Sequence, residues 1–373
     1  MKHLTLLLSA VLVLLNGTSC IEPEQEEGSV VTLRFATGGL HQTKTQTPGN
    51  ANVADGGGIY VDGETNNPDL VILIAGKNGS IVKKYPDVGT LEMATLSATE
   101  ATVSFDFSDR TNDQLEAENP YTVYAFANTR GLNGSKWRLV GQGEKGGLDE
   151  LDADALLLSL GTSAAVEALQ FQTLTKPLRP YGSTVPEGDE DYVVSYMPLS
   201  AKGTLNVQSN RNGEVSLELL RCVAKVTAII KNQTHQGLTL SDYQHAVKGM
   251  FPESGYLLSQ DPDYADDDPG DLSASAPTVP IGEDVSLPYS WYVFPSEGPY
   301  TIDLEFTLFK NQDNERTYTY SGLYVTNDKA QNIPSLERNQ HLTVTTRISK
   351  GLTISFNFEV ADWIVRNETV QFD

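Results

Sequence analysis

The run DPDYADDDPGD places Asp261, Asp263, Asp266, Asp267, Asp268 and Asp271 in one short stretch. Calcium takes several oxygen ligands from a flexible loop, and carboxylates at this density could supply them. The spacing is not that of an EF-hand, and its glycine falls late. A solvated acidic loop is therefore the simpler reading, with a calcium site at Asp261, Asp263, Asp266, Asp267 and Asp268 as the alternative. His41, His235, His245 and His341 lie beyond the opening residues. None falls in an HExxH, HxH or Cys/His arrangement, which leaves only a zinc pair of His235 with His245 to weigh. GxSxG and P-loop patterns are absent, and the GGG at 56–58 is not followed by the helix a phosphate loop needs. Carboxylates are spread along the whole chain, so no acid/base pair stands out. Neither enzyme activity nor a cofactor is expected.

The cysteines point to anchoring rather than catalysis. MKHLTLLLSAVLVLLNGTSC opens with Lys2 and His3, runs through an apolar stretch from Leu4 to Leu15 and ends in small residues before Cys20. That is the layout of a secretory signal, and it is short for a membrane span. It resembles a bacterial lipoprotein signal, in which such a cysteine is lipidated and becomes the mature N-terminus. Thr18 and Ser19 fit, while Gly17 stands where leucine is more usual. Residues 1–20 are thus a signal peptide, and IEPEQEEG at 21–28 is a solvated acidic tether. Cys222 in LLRCVAKVTAII has no partner once Cys20 is lipidated, and reads as a small buried apolar residue.

The chain has 373 residues, 39 % hydrophobic and 20 % charged, with a formal net charge of −23. This composition is globular. It opposes nucleic-acid binding, because phosphate contacts need Lys and Arg, and it keeps an exported protein soluble.

The elements that must carry these residues are strands. DLVILIAG at 69–76 is an apolar run followed by the hairpin dipeptide Asn78-Gly79. ATVSFDFS alternates Val103, Phe105 and Phe107 on one face, and YTVYAFANT and KWRLVGQG continue the series. LDELDADALLLSLGTSAAVEALQ at 148–170 reads as one or two short helices, started by Asp149 or Asp152, and LSDYQHAVKG at 240–249 as a further helical turn capped by Ser241. KPLRPYGSTVPEGDED at 176–191 is the best linker. After it come VVSYMPLS, GTLNVQS, one long strand through 217–230, SWYVFPS, YTIDLEFTLF, RTYTYSGLYV, QHLTVTTRI and the closing GLTISFNFEVADWIVRNETVQFD. In SWYVFPS, Trp291 and Val293 face one way and Tyr292 and Phe294 the other, which favours core packing over carbohydrate stacking. The fold class is all-β, with two β-sandwich domains in tandem and a few short helices. The domains are 29–185 and 186–373.

VVTLRFATGGLHQTKTQ stands apart. Val31, Leu33 and Phe35 alternate along a first strand at 29–37, and the polar loop 38–50 carries a single lysine, Lys44. Removing such a strand would open an apolar groove with unpaired edges, ready for a strand from another chain.

The lipoprotein leader, VVTLRFATG, DLVILIAGKNGSIV, MPLSAKGTLNV, LLRCVAKVTAIIKN and ISFNFEVADWIV follow one another in an order that resembles the fimbrillins of the Bacteroidales, the subunits of protease-assembled (type V) pili. The acidic run after Cys20 also resembles the tag of surface-exposed lipoproteins of that order. The resemblance implies two transthyretin-like, Greek-key sandwiches and an outer-membrane lipoprotein precursor attached through Cys20. It implies cleavage by a trypsin-like protease after the first strand, at Lys44 here, with Arg34 as second choice. Lysine departs from the usual arginine. It further implies head-to-tail polymerisation with other copies or related subunits, in a surface fimbria that serves adhesion. Candidate donor residues at 352–373 are Ile354, Phe356, Phe358 and Val360, then Trp363, Ile364, Val365, Val370 and Phe372. An uncut fimbrial anchor, or a surface lipoprotein that binds glycan or host, is the alternative.

Overall fold

The structure, a computed structural model, describes residues 30–37, 59, 69–85, 91–96, 100–106, 115–129, 137–140, 153–173, 176–180, 184–185, 190–194, 196–258, 271–309 and 315–362. In chain order the strands begin with β1 (Val30–Thr37), β2 (Leu70–Ala75), β3 (Ile81–Tyr85), β4 (Leu91–Leu96), β5 (Glu100–Asp106), β6 (Pro120–Ala127) and β7 (Trp137–Val140). Helices Ala153–Ser159 and Ser163–Glu167 follow, the second capped by Thr162, whose hydroxyl accepts from Ala165 N. Next come β8 (Gln170–Thr173), β9 (Arg179–Pro180), β10 (Val193–Val194), β11 (Leu199–Asn206), β12 (Gly213–Arg221) and β13 (Ala224–Gln233). The remainder are β14 (Leu238–Met250), β15 (Ser254–Tyr256), β16 (Asp271–Ile281), β17 (Ser286–Val293) and β18 (Ser296–Phe309). The chain closes with β19 (Glu315–Tyr324), β20 (Ser335–Leu336), β21 (Gln340–Ser349) and β22 (Thr353–Asp362). The protein is predominantly β, as its alternating strands predict.

The first sheet has the order β3-β2-β6-β11-β12-β1-β5-β4. It folds over at the β11–β12 hairpin. Those strands pair only at Leu199–Arg221 and Ser200–Leu220, with one further bridge at Val207–Gly213 beside the turn. Between these ends they part, β11 pairing with β6 and β12 with β1. Val31, Leu33 and Phe35 from one half then share a core with Leu70, Ile72, Ile74, Val123 and Ala125 from the other. Gly203 of β11 faces the Leu217 side chain of β12 so closely that a Cβ there would collide with it.

β2 is apolar throughout because both its faces are buried. Ile72 and Ile74 enter this first core, while Val71 and Leu73 pack with Leu157 and Val166 of the helices. Each helix therefore covers a second sheet face, which explains an unalternating run on an antiparallel strand. Glu167 ties the second helix to the sheet: its carboxylate accepts from the Tyr124 hydroxyl at 2.6 Å and from Lys202 Nζ at 2.8 Å.

The second sandwich packs β17-β13-β21-β22 against β16-β14-β18-β19. Its core includes Val226, Ile230, Tyr243, Trp291, Ile302, Phe306, Leu342 and Val344. β17 confirms the two-faced reading of its aromatics. Trp291 and Val293 enter this core, and Tyr292 and Phe294 enter another with Phe171, Cys222, Val223 and Leu257.

Three expectations change. The stretch 240–249 lies within β14, not in a helical turn. Leu238 and Leu240 are buried, then Tyr243, His245 and Val247; a bulge between Ser241 and Gln244, with Asp242 at φ 52°, shifts the alternation by one. That shift disguises the strand period. The apolar stretch 217–230 is two strands, because the chain leaves the first sheet at Arg221 and enters the second at Ala224. β11 and β12, expected with the C-terminal domain from 186 onward, instead pair with β6 and β1.

Candidate functional site

β1 is an inner strand. It runs parallel to β12, from Val31–Gly213 to Thr37–Leu219, and antiparallel to β5, from Val30–Asp106 to Ala36–Glu100. Val31 and Leu33 are 0 % exposed and Phe35 2 %. Arg34 points outward between them, and its Nε donates to Glu214 Oε1 at 2.6 Å. Its backbone lies mid-strand with a neighbour on each side, as the register requires. With strands about 4.8 Å apart, losing β1 would leave a slot about 9.6 Å wide between β12 and β5, floored by apolar side chains.

The walls of that slot are not legible in the sequence. Strand alternation marks β5 and β12 individually, but pairing partners are not written in period. One wall ends at a polar junction. Arg338, in the turn before β21, donates from Nε to Arg221 O at 3.1 Å and from Nη1 to Leu257 O at 3.0 Å. Its Nη2 reaches Leu220 O at 2.7 Å and Ser200 Oγ at 3.0 Å. Arg221 Nη1 donates to Asn339 Oδ1 at 2.9 Å, and Asn339 N to Val223 O at 2.8 Å. Cys222 is buried there, and burial pushes its thiol pKa up, as suits a packed rather than reactive cysteine.

At the other end of the chain, β22 is an edge strand paired with β21 from Gln340–Asp362 to Ser349–Thr353. Ile354, Phe356, Phe358 and Val360 are half-buried against the second core, and the Phe356 ring meets Tyr320 edge-on at 4.9 Å. Trp363, Ile364, Val365, Val370 and Phe372 lie outside the described residues, as do Cys20, Lys44, Asp261, Asp263, Asp266, Asp267 and Asp268.

The histidines do not converge. His235 sits on the exposed turn after β13, with Nδ1 3.5 Å from Asp284 Oδ2 and Glu283 close by. His245 is buried in mid-β14, its Nδ1 3.2 Å from the Tyr243 hydroxyl, and burial lowers its pKa to about 4. The pair considered for zinc is thus split between solvent and core. His341 Nε2 lies 2.8 Å from Thr227 Oγ1 on β13. No helix among the described residues is long and apolar enough to cross a membrane.

Residues 167–369, from the end of the second helix past β22, match the family model of the fimbrillin-A associated anchor proteins Mfa1 and Mfa2. The chain belongs to this family. The family is one of fimbrial structural proteins rather than enzymes. Solved structures similar to this fimbrillin-associated chain include a candidate cell-adhesion protein from Bacteroides eggerthii, with 13 % identity, TM-score 0.48 and coverage of 90 % of this chain and 96 % of that one. A fimbrial assembly protein from Parabacteroides distasonis has 12 % identity, TM-score 0.40 and coverage of 90 % and 98 %. The C-terminally truncated tip fimbrial protein Mfa3 from Porphyromonas gingivalis has 10 % identity, TM-score 0.42 and coverage of 90 % and 100 %. No curated protein matches this family member.

Proposed function

We propose that the protein is a structural subunit of a cell-surface fimbria. In this reading it is exported as a lipoprotein precursor through Cys20 and joined to its neighbours by strand exchange at the β1 slot. The observation that carries the reading is the placement of β1, an N-terminal strand with two paired neighbours and Val31, Leu33 and Phe35 in the core. Cleavage at Lys44 would separate that strand covalently from the sandwich and release the chain from its lipid in one step. The vacancy is worth filling: three large apolar side chains at about 2 kcal/mol each represent about 6 kcal/mol before backbone pairing. Each exchange is heterologous, so the assembly grows as a filament instead of closing.

The occupant is a strand from a neighbouring copy or related subunit. β22 has the needed alternation but already spends it within its own sheet. Residues 363–373 are therefore the better donor within this chain. A shaft subunit both accepts and donates; a tip subunit only accepts.

Limited trypsin treatment of the protein lacking its leader tests the reading. A new N-terminus at Thr45 with SDS-resistant ladders is the expected result. A chain that stays whole between Arg34 and Thr45, and monomeric, would overturn it.

The second reading is a fimbrial anchor that keeps both β1 and its lipid. Lys44, where the processing run offers lysine and not arginine, favours it, as does the anchor description of the matching family. Membrane fractions in which the protein remains full-length and lipid-modified beside assembled fimbriae would select the anchor.

A further inference from the structure

Within the first sheet, β12 depends on β1 to an unusual degree. Between Glu214 and Leu219 its strand partner is β1 alone among the described residues, because β11 has turned away to β6. Once β1 leaves, Leu217 and Leu219 still pack in the first core, while the backbone pairing of that wall is confined to its two ends. One is the hairpin turn, where Gln208 N donates to Asn212 O at 2.8 Å and Arg211 N to Gln208 O at 2.9 Å. The other is the corner at Leu220–Arg221.

Arg338 occupies that second corner. Its guanidinium donates to the carbonyls of Leu220 and Arg221 on β12 and to Ser200 Oγ on β11. It reaches Leu257 O on a third segment. The side chain arrives from the second sandwich, on the turn that leads into β21, so the rigidity of that sandwich is lent to the first. The planar fork can hold several carbonyls at once, which a lysine cannot reproduce. Hydrogen bonds from a charged donor are also roughly twice as strong as neutral ones.

We propose that Arg338 is a positioning residue for strand exchange: it clamps the C-terminal end of β12, so that the slot keeps its width and register after β1 departs. This rests on the strand-exchange reading above. An incoming strand then meets a preformed wall and does not have to order one, which is where preorganisation adds affinity.

The test uses the chain without its leader, nicked by limiting trypsin, and a fluorescein-labelled peptide of residues 29–37 as the incoming strand. Uptake is read by anisotropy for wild type, Arg338→Met and Arg338→Lys. Hydrogen exchange across 213–221 is measured before and after nicking. Before nicking, β12 should be about equally protected in wild type and Arg338→Met, because β1 still pairs with it. After nicking and strand displacement, Arg338→Met should lose β12 protection and bind the peptide at least about tenfold more weakly. Arg338→Lys should fall between the two. Arg179→Met removes another buried guanidinium, one that reaches Ser273 O and Ser290 O away from the slot, and should leave peptide affinity within about twofold of wild type. Equal affinity in wild type and Arg338→Met overturns the clamp. Should Arg338→Met not fold, equal affinity in wild type and Arg338→Lys overturns it instead. A wild-type chain that is cut cleanly yet takes up no peptide overturns the strand-exchange reading itself, and the clamp with it.

Discussion

At the scale of single residues, β1 separates two kinds of contribution on adjacent positions. Leu33 is fully buried in the first core, so Leu33→Ala should cost about 2–5 kcal/mol through lost burial and the cavity left behind. Arg34 is paired with Glu214, but both side chains are more than half exposed, and Arg34→Ala should cost under about 1 kcal/mol. Urea midpoints for the two variants check this, and similar midpoints would contradict it. His245 makes a different prediction. Its folded pKa is depressed to about 4 by burial, against an ordinary value near 6.5, so the unfolded chain binds the extra proton first. Its effect on stability is absent above pH ~6.5 and grows as pH falls towards ~4, reaching on the order of 3 kcal/mol. His245→Leu should flatten that acid slope in a series of thermal melts; an unchanged slope would exclude His245 as its source. Alternation in the sequence marks Val31, Leu33 and Phe35 as core. It says nothing of His245, because the bulge before it conceals which face it takes.

At the scale of elements, β22 and the residues after it should behave differently. β22 pairs along its full length with β21 and covers part of the second core. Truncation after Asp362 should leave the melting temperature of the monomer within a few degrees of the full chain, whereas truncation before Leu352 should lower it by about ten degrees or more. If truncation after Asp362 also leaves ladder formation intact, residues 363–373 are not the donor. The apolar run 217–230 is only partly legible in the sequence. Its composition identifies buried strand correctly, but a short crossover at Cys222 and Val223 sends its halves to different sheets. Nothing local distinguishes a strand that continues from one that changes sheet. The difference lies in what packs on either side, here the Arg338 fork and the core around Tyr292 and Phe294.

At the scale of the whole molecule, charge and connection dominate. A net charge of −23 makes copies of the chain repel one another until docking surfaces meet. Screening shortens that repulsion from ~30 Å at 0.01 M salt to ~8 Å at 0.15 M. Polymerisation of cleaved subunits should therefore quicken as salt rises over this range, as light scattering would follow. A rate that falls with salt would mean that complementary charges steer the encounter instead. The two sandwiches are also joined by more than the crossover at Cys222 and Val223. Phe171 of β8 meets Phe294, the residue after β17, edge-on at 4.7 Å, and a shared apolar core surrounds that contact.

The all-β class, the core strand at the N-terminus, the two-faced aromatics at 291–294 and the resemblance to fimbrillins are legible in the residues alone. These follow from side-chain period, composition and ordered motifs, all of which are local. It takes the packed chain to show that β12 and β5 flank the first strand, that β11 and β12 belong with it, and that an arginine from the second sandwich fastens the corner of the first. Strand partners and long-range hydrogen bonds depend on which surfaces meet in space, and a periodic pattern fits many partners equally well.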